Sequence, residues 1–480
     1  MTPRVSVIVP MFNAAWCVAE AIDSLRAQTL ADFEAIVVDD GSADDSDRAA
    51  MEAWGDDPRF RLIRQANAGL AGARNTGLDA ARGQFVAFLD ADDRLMPDAL
   101  ERLIFAAGAG ATPGAYGRIE HRGIEMHPTG WAPMTDVPLV NHAALLESCV
   151  FPVHAQVIRR NAIGAARFDP ALRIGEDWDF WLRVSEGGAS WTALDRVVGI
   201  YRMTPGSLSR RPLEMLGALG ERLRRAHERA GLNPRARDRV IAELTMEWAT
   251  AAAVDNPAQS DAVAALGPFD GVTPEAAAAR AFHRVPWQQG HTPDRWSAAP
   301  ERWLAPVLGF WSRLEENRRV PEGFAKAALA ALGRHASHPA LTAVRCLDAA
   351  LDAESEGVHL LGLGNNARWL AEACERRGAR FSGWDERAMA SPGWRPAWEG
   401  AILSKQVEIV RNRLGAAVIV TPTDDSGFSG IDAVRWHMVH EELASAALRR
   451  FRAALDGAGV TAVGRDRERD SLQASGFPSR

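Results

Sequence analysis

Residues 1–210 predict an α/β fold built on a doubly wound mixed sheet. A helical connector is expected over 211–350 and a smaller α/β domain over 351–480. Three observations carry this. Short apolar runs alternate with stretches of helix length from residue 5 to about 105, and two of those runs end in clustered acids. An Ala-, Arg- and Leu-rich region then separates them from a second pattern of strands and glycines that begins near residue 357. Strands alternating with helices of this length imply a parallel sheet covered on both faces.

The elements follow in order. "VSVIVP" is a strand, 14–28 a helix, "FEAIVVDD" a strand, 43–54 a helix, "FRLIRQ" a strand, 71–81 a helix and "QFVAFLD" a strand. From Tyr116 to about Ser209 the periodicity loosens, as in a lobe of mixed strand and helix that faces a second substrate. From about Arg211 to Leu351 the spacing is helical, broken by "LGPFDGVTPE" and "HRVPWQQGHTPDRW", and no motif emerges. In the tail, "GVHLLGLG" is a strand into a glycine turn, 365–377 a helix, and "ARFSGWDE" and "AAVIVTP" are further strands.

At 480 residues the chain exceeds one ordinary core, and roughly 150 residues per domain suggests about three. Apolar content of 47% and charged content of 24% are those of a globular chain. A formal charge of −7 argues against a general nucleic-acid binder, so no nucleic-acid partner is expected. Lys326 and Lys405 are the only lysines, which reads as a codon bias. Cys17, Cys149, Cys346 and Cys374 are scattered, so neither a zinc site nor a disulfide framework is indicated, and a reducing compartment fits. The amino terminus enters a strand directly, and no run approaches the roughly 18 apolar residues of a spanning helix. The expected location is cytoplasmic, with peripheral contact at the inner face of a membrane left open; the oligomeric state is not legible.

The informative stretch is "FVAFLDADDRLMP", where an apolar strand runs into Asp90, Asp92 and Asp93. Neighbouring carboxylates repel, and one of them has its pKa pushed up unless something positive is close. The carboxyl ends of strands in open α/β sheets are where ligands bind. Asp90-Ala91-Asp92 offers hard oxygen ligands suited to Mg²⁺ or Mn²⁺. Taken alone, the pattern equally suits a solvated turn or a helix cap, and context decides.

That context comes from four stretches in order: "SVIVPMFNAAWCVAEAIDSLRAQTL", "EAIVVDDGSADDS", "NAGLAGARNTGLDAARGQFVAFLDADDRLMP" and "RFDPALRIGEDWDFWLRVSEGG". Together they resemble the signature of a family 2 glycosyltransferase with a GT-A fold, over residues 4 to about 209. The resemblance implies that Pro10, Phe12 and Asp40 hold the nucleobase of a nucleoside-diphosphate sugar. Asp40 is preferred to Asp39 as the acceptor, because an ionised carboxylate suits the imide N–H of uracil or thymine or the edge of guanine. Capping of the following helix by Ser42 or Asp44 is the plainer alternative for this region.

By the same resemblance Gly69 and Arg74 lie by the nucleotide, with a surface ion pair as the other reading of Arg74. Asp90 faces the ribose, and Asp92 holds the metal. Asp93 is read as the cap of the helix that begins near Pro97. "GEDWDFWLR" matches the family's Glu-Asp motif, making Asp177 the catalytic base and Glu176 an auxiliary or acceptor contact; favourable charges at a helix amino end are the alternative. Trp178 and Trp181 suit a sugar-stacking role or, more commonly, the core. His154 is either acceptor-facing or structural. Arg202 and Ser207 fall in "YRMTPGSLSRR", which resembles a loop closing over the diphosphate, although Met203-Thr204 stands where relatives often carry a histidine.

In the tail, Gly362, Gly364 and Asp385 fit the spacing of a Rossmann-like nucleotide site. A dinucleotide or similar ligand there, and a Rossmann-like fold used for acceptor binding or assembly, both remain open. The expectation is an inverting, metal-dependent glycosyltransferase acting on a glycan or lipid-linked acceptor in cell-surface polysaccharide synthesis. Two other readings stand beside it. A nucleotidyltransferase would normally begin with a Gly-rich phosphate loop, where this chain has "VPMFNAAW". A non-catalytic sugar-nucleotide binding protein would bind the donor without turning it over.

Overall fold

The computed structural model describes residues 2–109, 112–126, 139–204, 207–231, 233–267, 269–288 and 301–336, together with the strand segments 358–361, 381–384, 402–403 and 417–420. The chain forms two compact units, Met1–Ile241 and Ala242–Arg480.

The first unit is a mixed α/β structure. Its elements are β1 (Val5–Met11), α1 (Val18–Arg26), β2 (Phe33–Asp39), α2 (Ser46–Trp54), β3 (Phe60–Arg64), α3 (Gly69–Ala80), β4 (Phe85–Phe88), β5 (Arg94–Leu95), α4 (Ala99–Ala109), β6 (Gly114–Arg122), β7 (Leu139–Val140), α5 (His142–Glu147), β8 (Gln156–Arg159), α6 (Arg160–Ile163), α7 (Glu176–Glu186), β9 (Trp191–Arg202), α8 (Pro212–Arg229) and α9 (Pro234–Asp255), the last running into the second unit. The strands lie in the order β3-β2-β1-β4-β8-β6-β9-β5, with β7 paired to β9. β3, β2, β1 and β4 are parallel. β8 is antiparallel to β4 and β6, and β6 is parallel to β9.

Every residue of β1 and β2 is buried, as expected for β-branched runs in a sheet covered on both faces. In α1, Val18, Ala21, Ile22 and Leu25 recur on one face and are the residues it buries. The register sets Met11 level with Asp39 and Ile8 level with Phe88, so the acids after β2 and β4 emerge at one edge of the sheet.

Helix starts differ from the sequence expectation. α1 begins at Val18, not residue 14, because 14–17 is a turn: Cys17 N–H donates to the Ala14 carbonyl and Ala14 N–H to Ser46 Oγ at 2.7 Å. Ser42 does not cap α2; the residue before the helix, Asp45, makes no side-chain bond, and Asp44 Oδ1 accepts from the N–H of Ser46, the first residue of α2 (3.1 Å). Ser42 Oγ accepts from Asn13 N–H (3.0 Å), and Asp44 accepts from Ala15 N–H (3.1 Å), so both are engaged by the loop after β1.

An aromatic cluster lies beneath α7. Phe168 and Phe180 stack at 4.0 Å, and Trp181 meets Phe88, Phe151 and Trp191 edge-on or nearly so at 5.5–6.0 Å. Trp181 is fully buried, and Trp178 is buried with its indole N–H on the Leu145 carbonyl (2.7 Å). Both tryptophans are therefore core residues.

In the second unit, α10 (Ser260–Ala264), α11 (Pro274–Gln288), α12 (Glu301–Glu316) and α13 (Phe324–Ala336) precede β10 (Val358–Leu361), β11 (Phe381–Trp384), β12 (Ile402–Leu403) and β13 (Ala417–Val420). The four strands form a parallel sheet in the order β12-β11-β10-β13. Arg280 ties α11 to Glu243 and Glu247 of α9. Gly362, Gly364 and Asp385 lie outside the described residues. Among the described residues, no helix is long and apolar enough to cross a membrane.

α3 approaches β1 so closely that a Cβ at Gly77 would lie 2.3 Å from Ile8 Cγ2. Gly77→Ala is expected to destabilise the chain by about 1–3 kcal/mol, as overpacking does. In an Ile8→Ala background the same change should cost less than half as much. Urea unfolding of the four proteins checks this, and equal costs in both backgrounds would refute the contact.

Candidate active site

The first two loops form one rim. Pro10 is buried within β1, and Phe12, just past its end, is 51% exposed. Asn13, at φ +50°, accepts from Ala43 N–H through Oδ1 (2.8 Å), joining the loop after β1 to the loop after β2. Asp39 accepts from Ser42 N–H (3.0 Å). Asp40 is buried, and its Oδ1 takes both Gln65 Nε2 (2.7 Å) and Ala68 N–H (2.8 Å). Its Oδ2 has no hydrogen-bond partner among the described residues. Gly69 opens α3 at φ +77°, a conformation that side-chain-bearing residues rarely adopt.

Arg74, one turn into α3, is 2% exposed. Nη1 donates to Glu176 Oε1 (2.6 Å) and Nη2 to Asp90 Oδ1 (2.7 Å), while the guanidinium lies over Phe168 at 5.4 Å. The pair is buried, not the surface pair that was the alternative. It links the end of β4 to the start of α7, whose first residue follows Gly175 at φ +71°. At that helix end, Asp177 is half-buried and its Oδ1 accepts from Trp178 N–H (2.7 Å).

One cation is thus shared among several acids. Burial raises Glu176 to about 7, outweighing the attraction of Arg74, and the Asp177 charge adds to the rise. Burial likewise raises Asp177 above the ordinary carboxylate range despite Arg74. Asp92 is half-buried, and beyond its own backbone N–H its carboxylate has no hydrogen-bond or ion-pair partner among the described residues. Burial and the neighbouring Asp90 push Asp92 up to about 6.

Asp93 does not cap the helix after Pro97, and α4 begins only at Ala99. Asp93 is buried and points back beneath the turn, where Oδ1 accepts from Arg202 N–H (2.8 Å) and Oδ2 lies 3.0 Å from His154 Nδ1. Burial raises Asp93 and lowers His154 to about 4, favouring uncharged partners. Asp90, Asp93 and His154 each bring a donor atom within 4.8 Å of the others, a group that can hold a metal ion.

Arg202 is buried at the end of β9 with its guanidinium engaged by the protein, and Ser207 Oγ lies 3.3 Å from the Tyr201 hydroxyl. Glu20, which accepts from both Arg94 and Arg202, escaped the sequence reading. On one helix turn it carries no motif, and its Arg202 partner is 182 residues away.

The carboxyl edge of the sheet thus carries an acid cluster bridged by Arg74, beside the exposed ring of Phe12. Residues 6–165 match the family model described as glycosyl transferase family 2. The chain is 33% identical over 238 residues to the uncharacterized glycosyltransferase EpsJ of Bacillus subtilis (strain 168), covering 48% of this chain and 69% of that protein. It is 34% identical over 223 residues to the succinoglycan biosynthesis protein ExoO of Rhizobium meliloti (strain 1021), covering 43% of this chain and 63% of that protein. The structure of S. aureus TarS 1–349 in complex with UDP aligns with TM-score 0.42 at 19% identity, over 69% of this chain and 91% of that one, a likeness too slight to bear on the site. The chain belongs to glycosyl transferase family 2.

Removing Arg74 strands Asp90 and Glu176. Arg74→Met is expected to lose about 3–5 kcal/mol, the cost of leaving buried charge uncompensated. Glu176, already raised to about 7, would then rise further above its unfolded value, so the folded variant binds protons more tightly and the deficit shrinks as pH falls toward about 5. Urea unfolding at two pH values measures both effects. A deficit that stayed small, or grew on acidification, would exclude Arg74 as the neutralising charge.

Proposed function

We propose that this enzyme is an inverting, divalent-metal-dependent glycosyltransferase. It moves a sugar from a nucleoside diphosphate to a hydroxyl of a glycan or lipid-linked acceptor in cell-surface polysaccharide synthesis. The observation that carries the reading is the Asp90–Arg74–Glu176 bridge, which ties the turn bearing Asp92 to the helix end bearing Asp177. The name of ExoO as a succinoglycan biosynthesis protein supports the polysaccharide context. Inversion follows from the family resemblance.

On the donor side, the exposed ring of Phe12 suits stacking on a base, with Pro10 behind it. Asp40 Oδ2 suits acceptance from a base N–H. Gly69 admits the nucleotide backbone, Asp90 faces the ribose, and Ser207 lies on the segment that closes over the diphosphate. Asp92, half-buried and without a partner beyond its own backbone N–H, suits Mg²⁺ or Mn²⁺, each of which takes one or two carboxylates and completes its shell with water and phosphate. Such an ion supplies charge stabilisation of the departing nucleoside diphosphate.

On the acceptor side, Asp177 Oδ2 takes the proton of the attacking hydroxyl as the acceptor oxygen bonds to C1 and the C1–phosphate oxygen bond breaks on the opposite face. Glu176 keeps Arg74 in place and contacts the acceptor. For residues 351–480 we retain a Rossmann-like reading, supported by the four parallel strands, with acceptor docking or nucleotide binding as its role.

The test is a panel of UDP-, GDP- and dTDP-sugars assayed with Mn²⁺ for hydrolysis and transfer. With the sugar nucleotide that is turned over, Asp177→Asn should lower kcat by about 10²- to 10⁴-fold, the usual contribution of a positioned base, while donor affinity stays within about twofold. Unchanged turnover in Asp177→Asn would overturn the assignment.

The pH profile offers a second check. A base must be ionised, and burial holds the Glu176–Asp177 pair above the ordinary carboxylate range. The rate should therefore fall on acidification with an inflection above the ordinary Asp value of about 3.9. Glu176→Gln removes a neighbouring anion and should move that inflection to lower pH. Movement in the other direction would contradict the shared-charge account.

A further inference from the structure

Arg202 stands apart from the other arginines of the first unit in what it holds. It is 4% exposed and ends β9. Nε donates to the backbone carbonyl of Asp92 (2.9 Å), and Nη1 donates to the backbone carbonyl of Ile124 (2.7 Å). Nη2 meets the Glu20 carboxylate, and its own N–H holds Asp93 Oδ1 (2.8 Å). The indole of Trp16 covers the guanidinium at 5.3 Å. Glu20 is fixed in turn by Arg94.

Two of these bonds run from Arg202 to the same four-residue turn, 109 and 110 positions away in sequence. The turn itself has one short-range backbone bond, Asp93 N–H to the Asp90 carbonyl (3.0 Å). Since the Asp92 carboxylate has no partner among the described residues beyond its own backbone N–H, its direction follows its backbone. That backbone is held at the Asp92 carbonyl by Arg202 and, one residue on, through Asp93. A guanidinium engaged by two backbone carbonyls and a carboxylate is placed to hold a structure, not to receive a phosphate.

We propose that Arg202 is a positioning residue that aims the Asp92 carboxylate at a divalent cation, and that Glu20 aims Arg202. The proposal rests on the reading of Asp92 as the metal ligand. A Lys at 202 would keep the charge but, with a single ammonium, could not reach the Asp92 carbonyl, the Ile124 carbonyl and Glu20 together. Partners one shell out from a metal are typically worth about 10- to 100-fold in metal affinity.

The experiment titrates the full chain with Mn²⁺ alone, following free and bound ion by electron paramagnetic resonance, for the wild type, Asp92→Asn, Arg202→Lys and Glu20→Gln. The melting temperature of each is recorded alongside. The wild type should bind Mn²⁺, Asp92→Asn should lose that binding, and folded Arg202→Lys should bind about 10- to 100-fold more weakly. In turnover, Arg202→Lys should need more Mn²⁺ yet recover most of its rate at saturation.

Unchanged Mn²⁺ affinity in folded Arg202→Lys, beside a clear loss in Asp92→Asn, overturns the positioning role and leaves the metal reading standing. Absent Mn²⁺ binding in the wild type, or binding indifferent to Asp92→Asn, overturns the metal reading and this proposal with it. If Arg202→Lys does not fold, Glu20→Gln carries the test, with a smaller loss in the same direction expected and no loss overturning. UDP binding weakened equally by Arg202→Lys in EDTA and in Mn²⁺ would make Arg202 a direct phosphate contact and overturn the proposal.

Discussion

The site depends on one buried cation. Asp90, Asp92 and Asp93 fall within four positions, and Glu176 and Asp177 are brought against them, so the carboxyl edge of the sheet concentrates acids that would repel one another. Arg74 makes the arrangement tenable by holding Asp90 with one nitrogen and Glu176 with another, where the interaction is screened less than in bulk water. Such pairs seldom add net stability over an apolar substitute, because each charge must first be taken out of water. What this one supplies is geometry. Glu176 and Asp90 are 86 positions apart in the sequence, and the guanidinium sets the distance between the elements that carry them.

The acids then separate by environment. Asp93 goes under the turn, where burial and the neighbouring Asp92 and Asp90 charges raise its pKa and keep it from contributing charge to the opening. Glu20 is balanced by Arg94 and Arg202: burial alone would raise its pKa, but the two guanidinium hydrogen bonds prevail and lower it. The aromatic cluster below α7 explains why these positions do not drift. Phe180 and Trp181 anchor the helix into the core, so the acids at its start are carried on a rigid support.

Much of the frame is legible in sequence because it is local. The apolar runs at β1, β2 and β4 are short and bounded, and their period alone identifies them. That two of them end in acids at a common edge follows once the sheet is read as parallel. The helix starts are not legible, since α1 is delayed by a bond between Ala14 and Ser46, 32 positions apart. Asp93 was misread for the same reason. Position beside a helix favours a cap, whereas the competing partner, the backbone of Arg202, arrives from a strand 109 residues later. Arg74 stands out within its motif, but its partners do not: Asp90 and Glu176 belong to different motifs, and nothing in either spacing says that one arginine bridges them.

A distinction between occupied and unoccupied carboxylates follows from this. Among the acids at the sheet edge, Asp39, Asp93, Glu20 and Glu176 have partners supplied by the protein, and their shapes are explained by structure alone. Among the described residues Asp92 has only its own backbone N–H, Asp177 has its own and that of the next residue, and Asp40 directs both of its bonds to a single oxygen. A half-buried carboxylate short of partners is unfavourable, because it gives up hydration without fully replacing it. That deficit persists in a stable fold only where the surroundings fix the group in place, as Arg74 and the α7 core do here. On the proposed reading, the three open oxygen positions are where a base edge, a cation and an acceptor hydroxyl would each find a lone pair that other side chains leave unsatisfied.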